Sequence, residues 1–304
     1  MRGFMRRAAA LAGLACWILA SGSGIGAEAA PESHPVIGVG SAHLREVVLD
    51  LGFAADQVVT LVPPAQCPGH FDVSPSEISA LAVSRVLLVH PWQRQLSNLK
   101  RAIDAAGVRD TVTVDVPGNW MVPDTLAAGM EETAATLAAR FGDADVLRER
   151  ARRRAETVRA IGKWFRERVR TYALENVPVL CQGMQEPCAR WAGLRVVAVF
   201  DRAEAMGADA PFQLIQSART EGVKVVVDNL QSGDDRIGAR LAGDLSVPRV
   251  VWSNFPGAFP GFDRWEDTVA ENLRRLAEAQ GHPDADFTGY REAIQPCDPP
   301  ARRP

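Results

Sequence analysis

Residues 143–172 read DADVLRERARRRAETVRAIGKWFRERVRTY. Leu147, Ala151, Ala155, Val158, Ile161, Phe165, Val169 and Tyr172 recur at gaps of three or four. That spacing puts them on one face of a single helix. The opposite face carries Arg150, Arg153, Arg159 and Arg166, and no proline interrupts the run. At ~1.5 Å per residue the helix is on the order of 40 Å long. It can run the height of two lobes and join them once. Its basic face reads as a solvated helix surface. One packed connector restricts lobe motion more than flexible linking strands do, so a cleft between the lobes is expected to be largely preformed.

Short β-branched runs lie on both sides of this helix. Before it come Val36 to Val39, Gln57 to Val62, Val86 to Val89 and Thr111 to Val116. After it come Val177 to Leu180, Arg195 to Phe200, Val223 to Val227 and Arg249 to Trp252. Helical patterns separate the runs. Strands alternating with helices predict parallel sheets built from crossover units. Uninterrupted apolar strands such as Val225-Val226-Val227 suit sheets covered on both faces. The expected fold is therefore α/β, with two lobes, each a mainly parallel sheet flanked by helices. The N-terminal lobe spans residues 35–142, the connector 143–172 and the C-terminal lobe 173–295. A proline-rich tail follows over 296–304.

The beginning of the chain differs from this pattern. Arg2, Arg6 and Arg7 precede an apolar run from Ala8 to Ala20, and small residues lead to Ala27-Glu28-Ala29. A basic start, a short apolar core and an A-x-A site make a secretory signal peptide over residues 1–29, and a periplasmic location is expected. A lipid anchor at Cys16 is the weaker alternative, because Gly13 stands where that signal wants a bulky aliphatic residue. Four cysteines then remain, Cys67, Cys181, Cys188 and Cys297, and they allow three disulfide pairings. The formal net charge of -3 gives no support for a nucleic-acid surface.

One loop is more specific than the rest: Cys67-Pro68-Gly69-His70-Phe71-Asp72-Val73-Ser74-Pro75-Ser76-Glu77-Ile78. Ser74, Pro75 and Glu77 form a helix start with a capping box. The loop resembles the first metal-site loop of the periplasmic metal-binding receptors of ABC importers, the zinc and manganese receptor family. The likeness continues through Pro117 to Pro123, through Cys181 to Leu194, through Val225 to Ser232 and through Val250 to Gly257. It implies a substrate-binding protein, a monomer, that delivers a transition metal ion, held at a non-standard site in the interlobe cleft, to an ABC permease in the inner membrane; a non-metal or chelated ligand is the alternative.

The ligands that the resemblance implies are largely replaced. The four ligand places fall on Gly69, on Gly118 or Asn119, on Gln182 and on Asn254. Zinc prefers three or four histidine, thiolate or carboxylate donors. One substitute is a softer site containing His70 and Cys67, with Met121, Met184, Cys181 and Cys188 near the same loops; its alternative is a structural Cys181–Cys188 disulfide with the methionines as packing. Another substitute is a cleft of amides and aromatics around Asn119, Trp120, Gln182 and Asn254, suited to an oxyanion, a chelate or a small organic molecule. His90 and Asp228 join the candidates because strand ends in open α/β sheets face the ligand crevice. His34, His43 and His282 lie outside the motif segments and are left out. No GxSxG elbow, HExxH or phosphate loop is present, so no enzyme is expected. An adhesin or interaction protein of the same fold is the remaining alternative.

Overall fold

The computed structural model describes residues 37–294 except 234–235. The predicted signal peptide, Cys16, Cys297 and the tail lie outside the described residues. The first sheet holds β1 (Ile37–Val39), β2 (Val58–Thr60), β3 (Val86–Val89) and β4 (Thr111–Thr113) in the order β2-β1-β3-β4. The second holds β5 (Pro178–Gln182), β6 (Arg195–Phe200), β7 (Val225–Asn229) and β8 (Arg249–Trp252) in the order β6-β5-β7-β8. Every pairing in both sheets is parallel. The expected two-lobed α/β architecture is thus present, with the same strand order in each lobe.

The helices that flank the first sheet are α1 (Ala42–Asp50), α2 (Pro75–Ala82) and α3 (Ser97–Ala106). Then come α4 (Pro123–Phe141) and the long α5 (Ala144–Thr171). The second sheet is flanked by α6 (Glu186–Trp191), α7 (Ala210–Thr220), α8 (Arg236–Leu245), α9 (Trp265–Ala279) and the short α10 (Tyr290–Ala293). The start of α2 is capped as its sequence predicts. Ser74 Oγ accepts from the Glu77 amide at 3.3 Å, and Glu77 Oε2 accepts from the Ser74 amide at 2.7 Å.

Alternation along the strands sorts side chains into three cores. Leu87 and Val89 of β3 face an outer layer with Leu81 and Leu99, while Val86 and Leu88 face inward. Leu180 and Val226 face a second outer layer with Leu241, while Val179, Val225 and Val227 face inward. The inward set is one continuous core that crosses from sheet to sheet. It passes through Leu147, Ala151, Val158, Ile161, Phe165 and Val169 of α5, the apolar face read from the sequence. Two lobes that share a core and a helix of 28 residues, about 42 Å long, cannot swing apart freely.

The connector is braced along its length by α4, a helix that the sequence reading did not single out. The two meet closely because Gly162 presents no side chain. A Cβ there would stand 2.5 Å from the Pro123 ring. Gly162→Val is expected to cost about 1–3 kcal/mol through overpacking. A thermal midpoint unchanged by the substitution would show that α4 can move aside freely. The arginines of α5 are mostly paired rather than simply solvated. Arg153 meets Glu149 at 2.6 Å, Arg159 meets Asp124 and Glu131, and Arg150 donates to the Leu51 carbonyl at 2.8 Å.

Candidate functional site

In a parallel sheet the carboxyl ends of the strands share one edge, and here the two sheets turn those edges toward a common cavity of about 500 Å³. Every strand contributes to its lining. His43 follows β1, Pro68 and Gly69 follow β2, His90 follows β3 and Asn119 follows β4. Met184 follows β5, Arg202 follows β6, Asn229 ends β7 and Asn254 follows β8. Trp92, Trp120 and Phe255 supply aromatic surface.

The two histidines of the cavity are buried and uncharged. Burial lowers the His43 pKa from 6.5 to about 4, against a smaller opposing effect of the Asn254 carbonyl. His90 falls to about 3, again chiefly by burial and then by the proximity of His43. His43 Nε2 lies 2.8 Å from the Asn254 carbonyl oxygen, which can only accept, so Nε2 carries the proton. His43 Nδ1 therefore holds a lone pair, and it is buried with no hydrogen-bond partner among the described residues. His90 Nε2 meets Ser41 Oγ at 2.8 Å, and the imidazole packs edge-on to Trp120 with ring centres 4.5 Å apart.

Amides join the two lobes beside the histidines. Asn119 Nδ2 donates to the Met184 carbonyl at 2.8 Å and to Asn254 Oδ1 at 2.9 Å. Asn254 Nδ2 donates to Asn229 Oδ1 at 3.2 Å. Gln231 Nε2 crosses to the Pro64 carbonyl at 2.9 Å, and its Oε1 accepts from the Asn254 amide. Trp265 Nε1 reaches the Met121 carbonyl at 3.0 Å. The cleft floor is thus held together by neutral hydrogen bonds, each worth about 0.5–1.5 kcal/mol net.

Of the candidates read from the sequence, His90, Asn119, Trp120, Met184 and Asn254 line the cavity together. The other four stand elsewhere. Gln182 is buried and turns back to accept from the Met184 amide at 2.7 Å. Asp228 is buried behind the site, where it pairs with Arg249 at 2.8 Å. It faces Gly238 of α8, whose missing Cβ leaves room for the carboxylate. His70 is exposed and Cys67 buried; Cys67 Sγ and His70 Nδ1 lie 3.4 Å apart, outside the cavity lining. The Cys181–Cys188 disulfide weighed from the sequence is not formed. Both are buried free thiols, and burial holds their pKa values well above the usual thiol range. Among the cavity residues that the sequence reading passed over are His43, Arg202 and Asn229. The signal was available, because His43 follows a strand end as His90 does.

This arrangement suits binding better than metal ligation or acid–base chemistry. Among the described residues that line the cavity there is no aspartate, glutamate, lysine or cysteine. Among all described residues no three His, Cys, Asp or Glu side chains are placed to hold one ion. Two neutral imidazoles, several amides and aromatic walls make a roomy, mostly apolar pocket with a few polar groups, the usual constitution of a small-molecule site.

The sequence model described as zinc-uptake complex component A, periplasmic (ZnuA), matches residues 44–279. No functionally curated protein matches by sequence. Among solved structures, a zinc-bound ZnuA deletion mutant is 15% identical with a TM-score of 0.63, covering 83% of this chain and 98% of its own. The cadmium-bound periplasmic metal-binding protein of Candidatus Liberibacter asiaticus is 13% identical with a TM-score of 0.65, covering 80% and 98%. The laminin-binding protein of Streptococcus agalactiae, described as a bifunctional adhesin and metal transporter, is 10% identical with a TM-score of 0.65, covering 81% and 99%. At these identities the likeness is one of fold.

Proposed function

Because the chain belongs to the family of zinc-uptake complex component A, we propose that it is the periplasmic receptor of an ABC importer whose cleft holds a small organic molecule or an organically chelated metal rather than a bare ion. The observation that carries this reading is the cavity of about 500 Å³ lined by aromatics, amides and two uncharged histidines, with no carboxylate among the described lining residues. A bare divalent cation needs far less room and, for zinc, three or four histidine, thiolate or carboxylate donors converging on one point. A bare-ion reading rests on His70 and Cys67, which supply two donors where zinc takes three or four. The reading includes export by the basic, apolar and A-x-A leader, lobes at 35–142 and 173–295 around the connector, and a monomer that docks on a permease in the inner membrane. It assigns no catalytic step.

The mechanism follows from the brace between the lobes. Strand-end loops of both lobes supply the contacts, and the shared core permits only a small closure. A ligand drives that closure only by the difference in its affinity for the two states. Protein purified from the periplasm without chelator is expected to carry an adduct of roughly a few hundred daltons in native mass spectrometry, the mass class of pocket-bound ligands. Elemental analysis should find metal only together with that adduct. One stoichiometric ion without organic mass, lost on His70→Ala or Cys67→Ala, would refute the proposal in favour of a bare-metal receptor.

A further inference from the structure

The cavity is uncharged except at one point. Among its described lining residues, His43 and His90 are neutral at physiological pH, and the only permanently charged side chain is that of Arg202. Arg202 follows β6 in the second lobe and crosses to the β2 loop of the first. Its Nη1 lies 3.5 Å from His70 Nδ1 and 3.9 Å from the place where a Cβ on Gly69 would stand. Among the described residues no carboxylate lies within ion-pair reach of it, although most described arginines are paired, such as Arg140, Arg154, Arg195, Arg249 and Arg274. A guanidinium at the wall of an apolar cleft, whose side-chain hydrogen-bond neighbour is the His70 imidazole, repels a cation and attracts an anion. Its fork of donors also matches the geometry of a carboxylate.

A second group in the same cavity lacks a partner. His43 is 3% exposed, and its Nδ1 holds a lone pair with no hydrogen-bond partner among the described residues. A buried acceptor left unpaired costs free energy, and a ligand hydroxyl or N–H would remove that cost. Trp92, Trp120 and Phe255 offer faces for an aromatic or apolar body.

We propose that the cleft selects organic anions: an aromatic or apolar body held by the tryptophans and Phe255, an acidic group held by Arg202, and a hydroxyl or N–H given to His43 Nδ1. This rests on the reading of the cleft as an organic-ligand site, and Arg202 is its specificity-determining residue. Salicylate, which carries a carboxylate and a hydroxyl, and salicylamide, its neutral counterpart, serve as probes in calorimetric titrations of the exported protein at neutral pH or slightly below. Salicylate is expected to bind at least about tenfold more tightly than salicylamide, a difference of about 1.4 kcal/mol. Arg202→Gln should erase that preference by weakening salicylate alone. A thermal midpoint like that of the parent checks that the variant folds. Equal binding of the two probes, or a preference that survives Arg202→Gln, overturns the anion assignment and leaves the organic-ligand reading standing. If neither probe binds while zinc loads stoichiometrically, both readings fall.

Discussion

Replacing Arg154 with methionine is expected to lower the unfolding free energy by about 3–5 kcal/mol, the range seen when one member of a buried ion pair is removed. Arg154 sits midway along α5, where both lobes meet the connector. Its Nη2 donates to Glu266 Oε2 at 2.6 Å and to Glu46 Oε1 at 3.2 Å, and its Nε donates to Asp50 Oδ2 at 2.9 Å. Glu46 and Asp50 belong to α1 of the first lobe, and Glu266 to the first turn of α9 in the second. Arg264 closes the cluster against Asp50 at 2.8 Å, and the Trp265 amide donates to Glu46 at 3.0 Å. Methionine fills much of the arginine stem but leaves buried Glu46 facing half-buried Asp50 and Glu266, with Arg264 as their remaining cation. Desolvation and repulsion then act together. Adding Glu46→Gln to Arg154→Met should recover part of the loss, and a double-mutant cycle in urea measures the coupling. A loss under about 0.5 kcal/mol for Arg154→Met, typical of an exposed pair, would mean that this cluster does not brace the lobes.

The position of this cluster also explains what the sequence could and could not reveal. Each predicted strand is present with ends shifted by at most a few residues, and the predicted helix over 143–172 forms over Ala144–Thr171. Those features follow from local periodicity, which the chain carries without ambiguity. The charge cluster unites residues more than a hundred positions apart, and nothing local marks Arg154 off from Arg153, which pairs on the surface with Glu149. The site was legible in part for the same reason. The strand-end rule leads to His90, and the family resemblance to Asn119 and Asn254, and all three line the cavity. The same rule is too coarse by one residue for Asp228. Successive side chains of a strand take opposite faces, so Asn229 lines the cavity while Asp228 turns away to Arg249. Gln182 is spent on its own turn, holding the Met184 amide. The neutrality of His43 depends on burial by both lobes, and no window of sequence contains that burial.

Acid is expected to destabilise the protein in the window just below neutrality, and more steeply once Glu46 is replaced by glutamine. His43 and His90 have folded pKa values of about 4 and about 3 against an ordinary value of 6.5. Below 6.5 the unfolded chain takes up protons that the folded chain refuses, so stability falls as the pH falls. Each histidine costs about 1.4 kcal/mol per pH unit in that range, and the two together about 2–3 kcal/mol between pH 7.5 and 5.5. Glu46 acts in the opposite direction. Burial raises it from 4.5 to about 7, with Glu266 and Asp50 adding to the shift and Arg264 and Arg154 opposing it. Its folded form therefore takes up a proton before the unfolded chain does, which stabilises the protein as the pH falls through 7 and offsets part of the histidine loss. The parent protein should show a shallow net decline, of about 1 kcal/mol over those two units. Glu46→Gln removes the offset and should expose the full decline of about 2–3 kcal/mol, read as denaturant midpoints at matched ionic strength. The companion His90→Gln keeps a polar group of similar reach toward Ser41 and removes one titrating site worth about 1.4 kcal/mol, so it should abolish the decline or turn it into a slight gain. Parallel pH profiles for the parent, Glu46→Gln and His90→Gln would mean that these groups are hydrated in solution. For His90 that would mean a cleft wall open to water.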